Sequence, residues 1–194
     1  FVTAFSLMAD ALRDALDRVL DQALCHSYPG APDLGGTDGT TEVRPAEVRK
    51  VAQLAQDAVV EPDGRLVVAD AADRKLLTRI ANPLKLGLQS EQAFKLQSTA
   101  DHWDTTFTRA VNAAATDGVA ATVGLLRQAI NTPDAQGLTA ALENLVIVVW
   151  AQATNHTFTH HGGPVDASVD RLDDAWAVVP QALPSTAVWQ EAVD

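Results

Sequence analysis

The stretch LTAALENLVIVVWAQA, residues 138–153, decides how the rest of this sequence is interpreted. Wound as a helix it is apolar nearly all round, and a helix of that kind lies at the centre of a bundle. Its longest apolar run, LVIVVWA from Leu145 to Ala151, is about a third of the ~20 residues that cross a bilayer. The sequence therefore predicts a buried central helix and no membrane-spanning segment.

Amphipathic helical patterns lie on both sides of this segment. Apolar residues recur at helical spacing from Thr3 to His26, and again after Pro45, which a first helical turn tolerates. Ser90 is an N-cap candidate for a further helix, whose apolar positions are Phe94, Leu96, Trp103, Phe107 and Val111. Two short closing helices are expected at 170–178 and 185–193, separated by prolines.

Extended structure is expected at one place only. EPDGR, residues 61–65, has the chemistry of a tight turn, and the LVV that follows it reads as a short strand near Val67. The predicted fold class is therefore all-α: a multi-helical bundle with at most one very short β element. We expect two parts, an N-terminal helical subdomain at 1–88 with a Gly/Pro-rich loop at 29–41, and a C-terminal helical bundle at 89–194.

The composition argues against nucleic acid as a partner. Lys and Arg total 14 against 25 Asp and Glu, a formal charge of −11, and an acidic surface repels phosphate backbones and anionic lipids. Cys25 is the only cysteine, which makes an intramolecular disulfide impossible and agrees with a reducing, cytoplasmic location. We expect Cys25 to be a small core residue.

A histidine cluster in NHTFTHHGGPVD is the most suggestive site for chemistry. If the preceding helix continues, His156 and His160 share a face, and Asp166 or Asp170 could complete a metal site. The internal glutamate of the H-E-x-x-H signature is absent, and histidines at a helix C-terminus commonly serve the helix dipole. The structural interpretation is favoured, so no metal site is assigned.

Catalytic motifs are missing from the sequence. It contains no G-x-S-x-G elbow, no G-x-G-x-x-G and no G-x-x-x-x-G-K-[ST] loop for phosphates. His102, Trp103 and Asp104 resemble part of an acid–base pair, but adjacent residues on a helix point about 100° apart. We expect Trp103 in the core with its polar neighbours outside, no catalytic residue, and no cofactor in this fragment.

One long stretch resembles a known family. EVRPAEVRKVAQLAQDAVVEPDGRLVVADAADRKLLTRIANPLKLG, residues 42–87, is similar to a segment of the very large ATPases of bacterial phage-defence systems, of the phage growth limitation and bacteriophage exclusion type. The resemblance implies a P-loop ATPase that acts with other defence proteins to block phage growth, with this fragment as an accessory helical region. Because the phosphate-binding motif is absent here, no ATP-site residue is carried over to any position.

Three hypotheses about function follow. The first is a non-catalytic helical regulatory or interaction region of a phage-resistance ATPase, which docks protein partners or other domains of the parent chain. The start at Phe1, inside a helical pattern, agrees with a piece of a longer polypeptide. The alternative is a stand-alone protein-binding helical module unrelated to phage defence, with an exposed apolar groove. The third is an enzyme or metal protein built on the histidines near His160.

Overall fold

The computed structural model describes residues 2–35, 42–96 and 102–181. Within these ranges the chain forms helices and strands in mixed order. The helices are α1 (Val2–Ser27), α2 (Pro45–Val60), α3 (Ala71–Ile80), α4 (His102–Thr116), α5 (Val123–Ile130) and α6 (Ala140–Ala153). The strands are β1 (Arg65–Val67), β2 (Gly87–Ser90), β3 (Ala93–Leu96), β4 (His156–His160), β5 (Gly163–Pro164) and β6 (Ala177–Pro180).

The first sheet is antiparallel with the strand order β1-β3-β2. Strands β2 and β3 form a hairpin in which Ser90 pairs with Ala93 across a two-residue turn, and Glu91 has a φ of 49° in that turn. Burial alternates along β2, as expected where one face of a sheet covers the core and the other meets solvent. The predicted helix is therefore wrong from Ser90 to Leu96, because the period of burial here is two residues. Its later apolar positions, Trp103, Phe107 and Val111, do lie on a helix, α4.

The second sheet is also antiparallel, with the order β5-β4-β6. Phe158 of β4 pairs with Val178 of β6, and both side chains are buried. Much of the segment predicted as a helix at 170–178 is instead turn structure that leads into β6. The other closing helix, at 185–193, lies outside the described residues.

The fold class is therefore mixed α and β, and the predicted all-α bundle is wrong. The described residues contain two three-stranded antiparallel sheets besides the six helices. The sequence suggested only the strand at Val67, which the structure has as β1. The other strands are two to five residues long, and apolar runs of that length do not distinguish strand from helix by their period. The division into 1–88 and 89–194 stays a prediction.

Helix α6 lies in the middle of the core, as the sequence predicted. Every residue from 144 to 151 is buried, and the helix packs against α2, α5 and β4. Its one buried amide, Asn144, donates from Nδ2 to the carbonyl of Val169 at 2.8 Å and accepts from Arg127 Nη2 at 2.6 Å. Among the described residues, no helix is long and apolar enough to cross a membrane.

Arg127 of α5 joins three parts of the fold. Its guanidinium lies 3.5 Å from a carboxylate oxygen of Glu143 on α6 and 2.9 Å from Asp174 in the segment before β6. It also donates to the carbonyl of Leu172 at 3.1 Å. Because the side chains of Arg127 and Glu143 are only 20% and 13% exposed, each depends on the other to keep its buried charge compensated.

Candidate interaction surfaces

Helix α1 presents an apolar stripe to solvent. Residues 11–27 are all exposed, and the large apolar side chains among them keep between 49% and 71% of their accessible surface. These residues, hereafter the α1 stripe, are Leu12, Leu16, Val19, Leu20 and Leu24. A helical stripe of this kind normally covers a core, so a contiguous one left in water indicates an interaction site.

The end of α1 is held against the rest of the fold. Tyr28 lies over Gly137, which has a φ of 61°, in the loop before α6. The amide of Gly30 donates to the carbonyl of Ala135 at 3.1 Å. These contacts hold the residues that directly follow α1, while residues 11–27 of the helix stay exposed. The stripe is thus part of an attached helix, which sequence periodicity alone could not establish.

The outer face of the first sheet carries a second exposed surface. Val67 of β1 and Leu88 of β2 are 71% and 60% exposed. Arg65 and Lys95 are directly opposite each other on β1 and β3, and Lys95 is also opposite Leu88. These four side chains, hereafter the sheet patch, border an open depression of about 450 Å³. The sequence did not predict this surface, because the helix expected from Ser90 onward included β3 and no strand was expected at β2.

The two cations of the sheet patch stand apart from the ion pairs of the described residues. Those pairs are Arg49–Asp170, Lys50–Asp73, Arg79–Glu47, Arg127–Glu143 and Arg127–Asp174. Like charges directly opposite on neighbouring strands destabilise a sheet. The pairing of Arg65 with Lys95 therefore places two cations side by side outside the described ion pairs, in a depression that Glu91 also lines.

The structure separates the candidate metal ligands. The segment with His156 and His160 is strand β4, whereas the sequence argument required a continuing helix. Four residues of strand span about 13 Å, against about 6 Å for one helical turn. Asp166 is exposed in the loop after β5, and Asp170 pairs with Arg49 at 2.7 Å.

The imidazoles of His160 and His161 are close neighbours, with centroids 3.9 Å apart. Within the described residues, however, no three side chains of His, Cys, Asp or Glu are grouped so as to hold a metal ion.

His156 has a structural environment. Its ring stacks on Trp150 with centroids 4.6 Å apart, and Nδ1 lies 2.9 Å from the hydroxyl of Thr154. Burial lowers the pKa of His156 below 6.5, although the Thr154 contact and the nearby Asp104 carboxylate act in the opposite direction. At neutral pH this histidine is therefore an uncharged packing residue.

Trp103, in the His102-Trp103-Asp104 segment, lies in the core, as predicted. Trp103 is buried and donates from Nε1 to the carbonyl of Leu84 at 2.6 Å. Asp104 accepts a hydrogen bond from Nε1 of Trp150 at 3.2 Å. Trp103 and Asp104 thus both make hydrogen bonds within the fold. His102 is exposed on α4.

Cys25 contradicts the sequence expectation. It is an exposed free thiol on α1, not a core residue. Burial was expected because cysteine is small and apolar. Cys25 is exposed because the whole helix is exposed from residue 11 to residue 27.

Comparison with known proteins gives the family. A family model described as the BREX System ATPase PglY protein 5th domain matches residues 46–151, which is more than half of the chain. The match defines the class as accessory regions of phage-defence ATPases, and it confirms the resemblance found in the sequence. In particular, the chain belongs to the family of PglY fifth domains of the BREX system. No solved structure matches the chain.

The matched range extends from α2 to α6 and includes the whole of the first sheet. The sheet patch is therefore inside the family domain, whereas α1 and the second sheet are outside the matched residues. The match does not support the alternative of a module unrelated to phage defence.

Proposed function

We propose that this chain is a non-catalytic docking region of a phage-resistance ATPase in the cytoplasm, without a cofactor of its own. Its task is to bind protein partners or other domains of the parent chain. The observation that carries the proposal is the exposed α1 stripe. Five large apolar side chains follow one another along a single attached helix, and their exposure opposes the hydrophobic effect unless a partner covers them.

The size of the stripe supports a specific contact. Burying a large aliphatic side chain stabilises by about 1.5–3 kcal/mol relative to full exposure. Side chains that are half to three-quarters exposed retain roughly half or more of that amount for a partner. A helix laid into an apolar groove through anchors three and four residues apart is a common mode of protein recognition.

The proposal is tested by replacing Leu16 and Leu20 with glutamate in the parent ATPase. Both side chains are exposed, so the isolated chain should keep its circular dichroism spectrum, with a change in stability of about 0.5 kcal/mol or less. Cells carrying the double variant should lose resistance to phage in a plating assay. The matched control is Arg18→Gln, a change of an exposed side chain on the opposite side of α1, which should retain resistance.

Full resistance with the Leu16→Glu/Leu20→Glu protein, at unchanged expression level, would contradict the docking role. A large loss of stability in the isolated chain would contradict it too, because the leucines would then belong to the core of the domain itself.

A further inference from the structure

We propose that the partner of the α1 stripe is the sheet patch of a second copy of this chain. The inference rests on the proposed docking function and names the occupant. The two surfaces are both exposed within one copy, and both combine apolar side chains with charge, but the charges are of opposite sign. The α1 stripe has Asp17 and Asp21 beside its C-terminal half, with Arg13 nearer its N-terminal end. Arg65 and Lys95 lie beside the apolar side chains of the sheet patch, with Glu91 at the turn that borders it.

Two carboxylates of α1, those of Asp17 and Asp21, lie along one edge of the α1 stripe. At about 100° per residue, Leu20 and Leu24 lie roughly 40° and 80° around the helix from Leu16. Asp17 follows at about 100° and Asp21 at about 140°, directly beyond Leu24. Arg13, at about 60°, lies on the same side one turn before Asp17. A partner that covers this edge from Leu16 to Leu24 therefore meets leucines and the carboxylates of Asp17 and Asp21 side by side.

The spacing of charges agrees on the two surfaces. Asp17 and Asp21 are one helical turn apart, so their Cβ atoms are separated by about 6 Å. Arg65 and Lys95 are direct cross-strand partners, which places their Cβ atoms about 5 Å apart. The two carboxylates can therefore meet the two cations one to one, which removes the like-charge repulsion across β1 and β3.

The apolar parts complete the contact. Val67 and Leu88 lie next to the two cations on the sheet, as Leu20 and Leu24 lie next to the aspartates on α1. A nucleic acid would fit less well, because it would meet the apolar side chains with phosphates and the rest of an acidic chain would repel it. The sheet patch is thus suited to an acidic, apolar helix.

Two copies can exchange this contact reciprocally and close as a dimer. Otherwise each copy offers its α1 to one neighbour and its sheet patch to another, and the assembly grows into a ring or a filament. The assembly should dissociate as the salt concentration rises, because exposed charge pairs are screened.

Sedimentation velocity over a range of concentrations tests the proposal with the chain alone. The unmodified chain should form larger species as concentration rises. Arg65→Glu/Lys95→Glu should weaken association by about tenfold or more, since like charges then face each other. Asp17→Lys/Asp21→Lys should weaken it by a similar factor. The matched control is Lys75→Glu, a charge reversal of an exposed lysine on α3 away from both surfaces, which should associate normally.

Mixing the two charge-reversed proteins gives the decisive result. Each should associate only weakly alone, but the acidic sheet patch of one fits the basic α1 of the other, so the mixture should associate more strongly than either variant. A chain that stays monomeric at millimolar concentration, or a mixture that stays monomeric, would overturn the proposal. Loss of phage resistance in the stripe variants together with a monomeric chain would leave the docking function standing with a different partner. Resistance that survives the stripe substitutions would instead remove the docking function itself.

Discussion

Tyr28 packs directly on Gly137, and a Cβ atom at position 137 would lie 2.7 Å from Cγ of the tyrosine ring. This contact joins the end of α1 to the loop before α6. Position 137 requires glycine for two reasons. A Cβ atom would collide with Tyr28, and the φ of 61° lies in the left-handed region that other residues disfavour. Together with the hydrogen bond from Gly30 to Ala135, this pair attaches the end of α1 to the fold.

Gly137→Ala should therefore loosen the base of α1. We expect the amide of Gly30, which donates to Ala135, to exchange with deuterium faster, and the chain to lose about 1–2 kcal/mol of stability. Gly118→Ala is the matched control, because its φ of 70° is equally unfavourable but nothing lies within 4 Å of the added Cβ. Equal effects of the two substitutions on Gly30 exchange would show that the tyrosine contact does not hold the helix.

Gly87→Ala should disrupt the first sheet. The new Cβ would lie 2.5 Å from Cζ of Phe94 and 2.6 Å from the carbonyl oxygen of Lys95, and Phe94 is fully buried. We expect a loss of about 2–3 kcal/mol in urea unfolding, as for other overpacked cores. Gly163→Ala, whose nearest neighbour would be 3.7 Å away, should be close to neutral. Similar midpoints for the two variants would contradict the close packing of β2 against Phe94.

Arg127→Met should be among the more damaging single substitutions. It leaves the carboxylate of Glu143, only 13% exposed, without its cation, and we expect a loss of about 3 kcal/mol in chemical denaturation. Arg49→Met breaks the pair with Asp170, whose two side chains are both more than half exposed, and should cost less than about 1 kcal/mol. Unfolding of both variants at the same denaturant concentration would contradict the greater importance of the less exposed Arg127–Glu143 pair.

The pKa of His156, which burial lowers below 6.5, makes stability depend on pH. The folded state disfavours the charged imidazole. The stability that His156 contributes in its neutral form is therefore complete above the unfolded pKa of about 6.5. It is lost as pH falls from that value through the lower folded pKa. His156→Gln should flatten this part of the stability profile, and NMR titration should place the His156 pKa below 6.5. A normal or raised value would contradict the stacked, uncharged state against Trp150.

ATP should not stabilise this chain. The sequence contains no phosphate-binding loop, and ligands raise the unfolding temperature only when they bind the folded state. A thermal-shift titration with ATP and magnesium should therefore give no saturable change. A saturable shift would show a nucleotide site that the motifs do not predict.

Long helices could be predicted from the sequence because their evidence is local. The apolar periodicity after Pro45 and the continuous apolar segment before Ala153 each span several turns, and both became helices with almost the predicted bounds. The sequence at 42–87 was also similar enough to the family to indicate a phage-defence ATPase, and the family match confirms that prediction.

The strands could not be predicted in the same way. Phe94 and Phe158 fit an apolar helical face as well as a strand, and only their cross-strand partners distinguish the two. Those partners come from distant or separately formed segments, so the outcome depends on the packed fold. The same uncertainty placed His156 and His160 on one helical turn, and the strand moved them roughly twice as far apart.

The sequence by itself determined the central buried helix, the tight turn before β1, the acidic character and the family. Each of these depends on composition or on patterns within one segment. Only the tertiary structure decided that the α1 stripe and the sheet patch face solvent with opposite charge. The reason is that an amphipathic pattern records which side chains avoid water, whereas the element that shields them is chosen by packing between segments far apart in the chain.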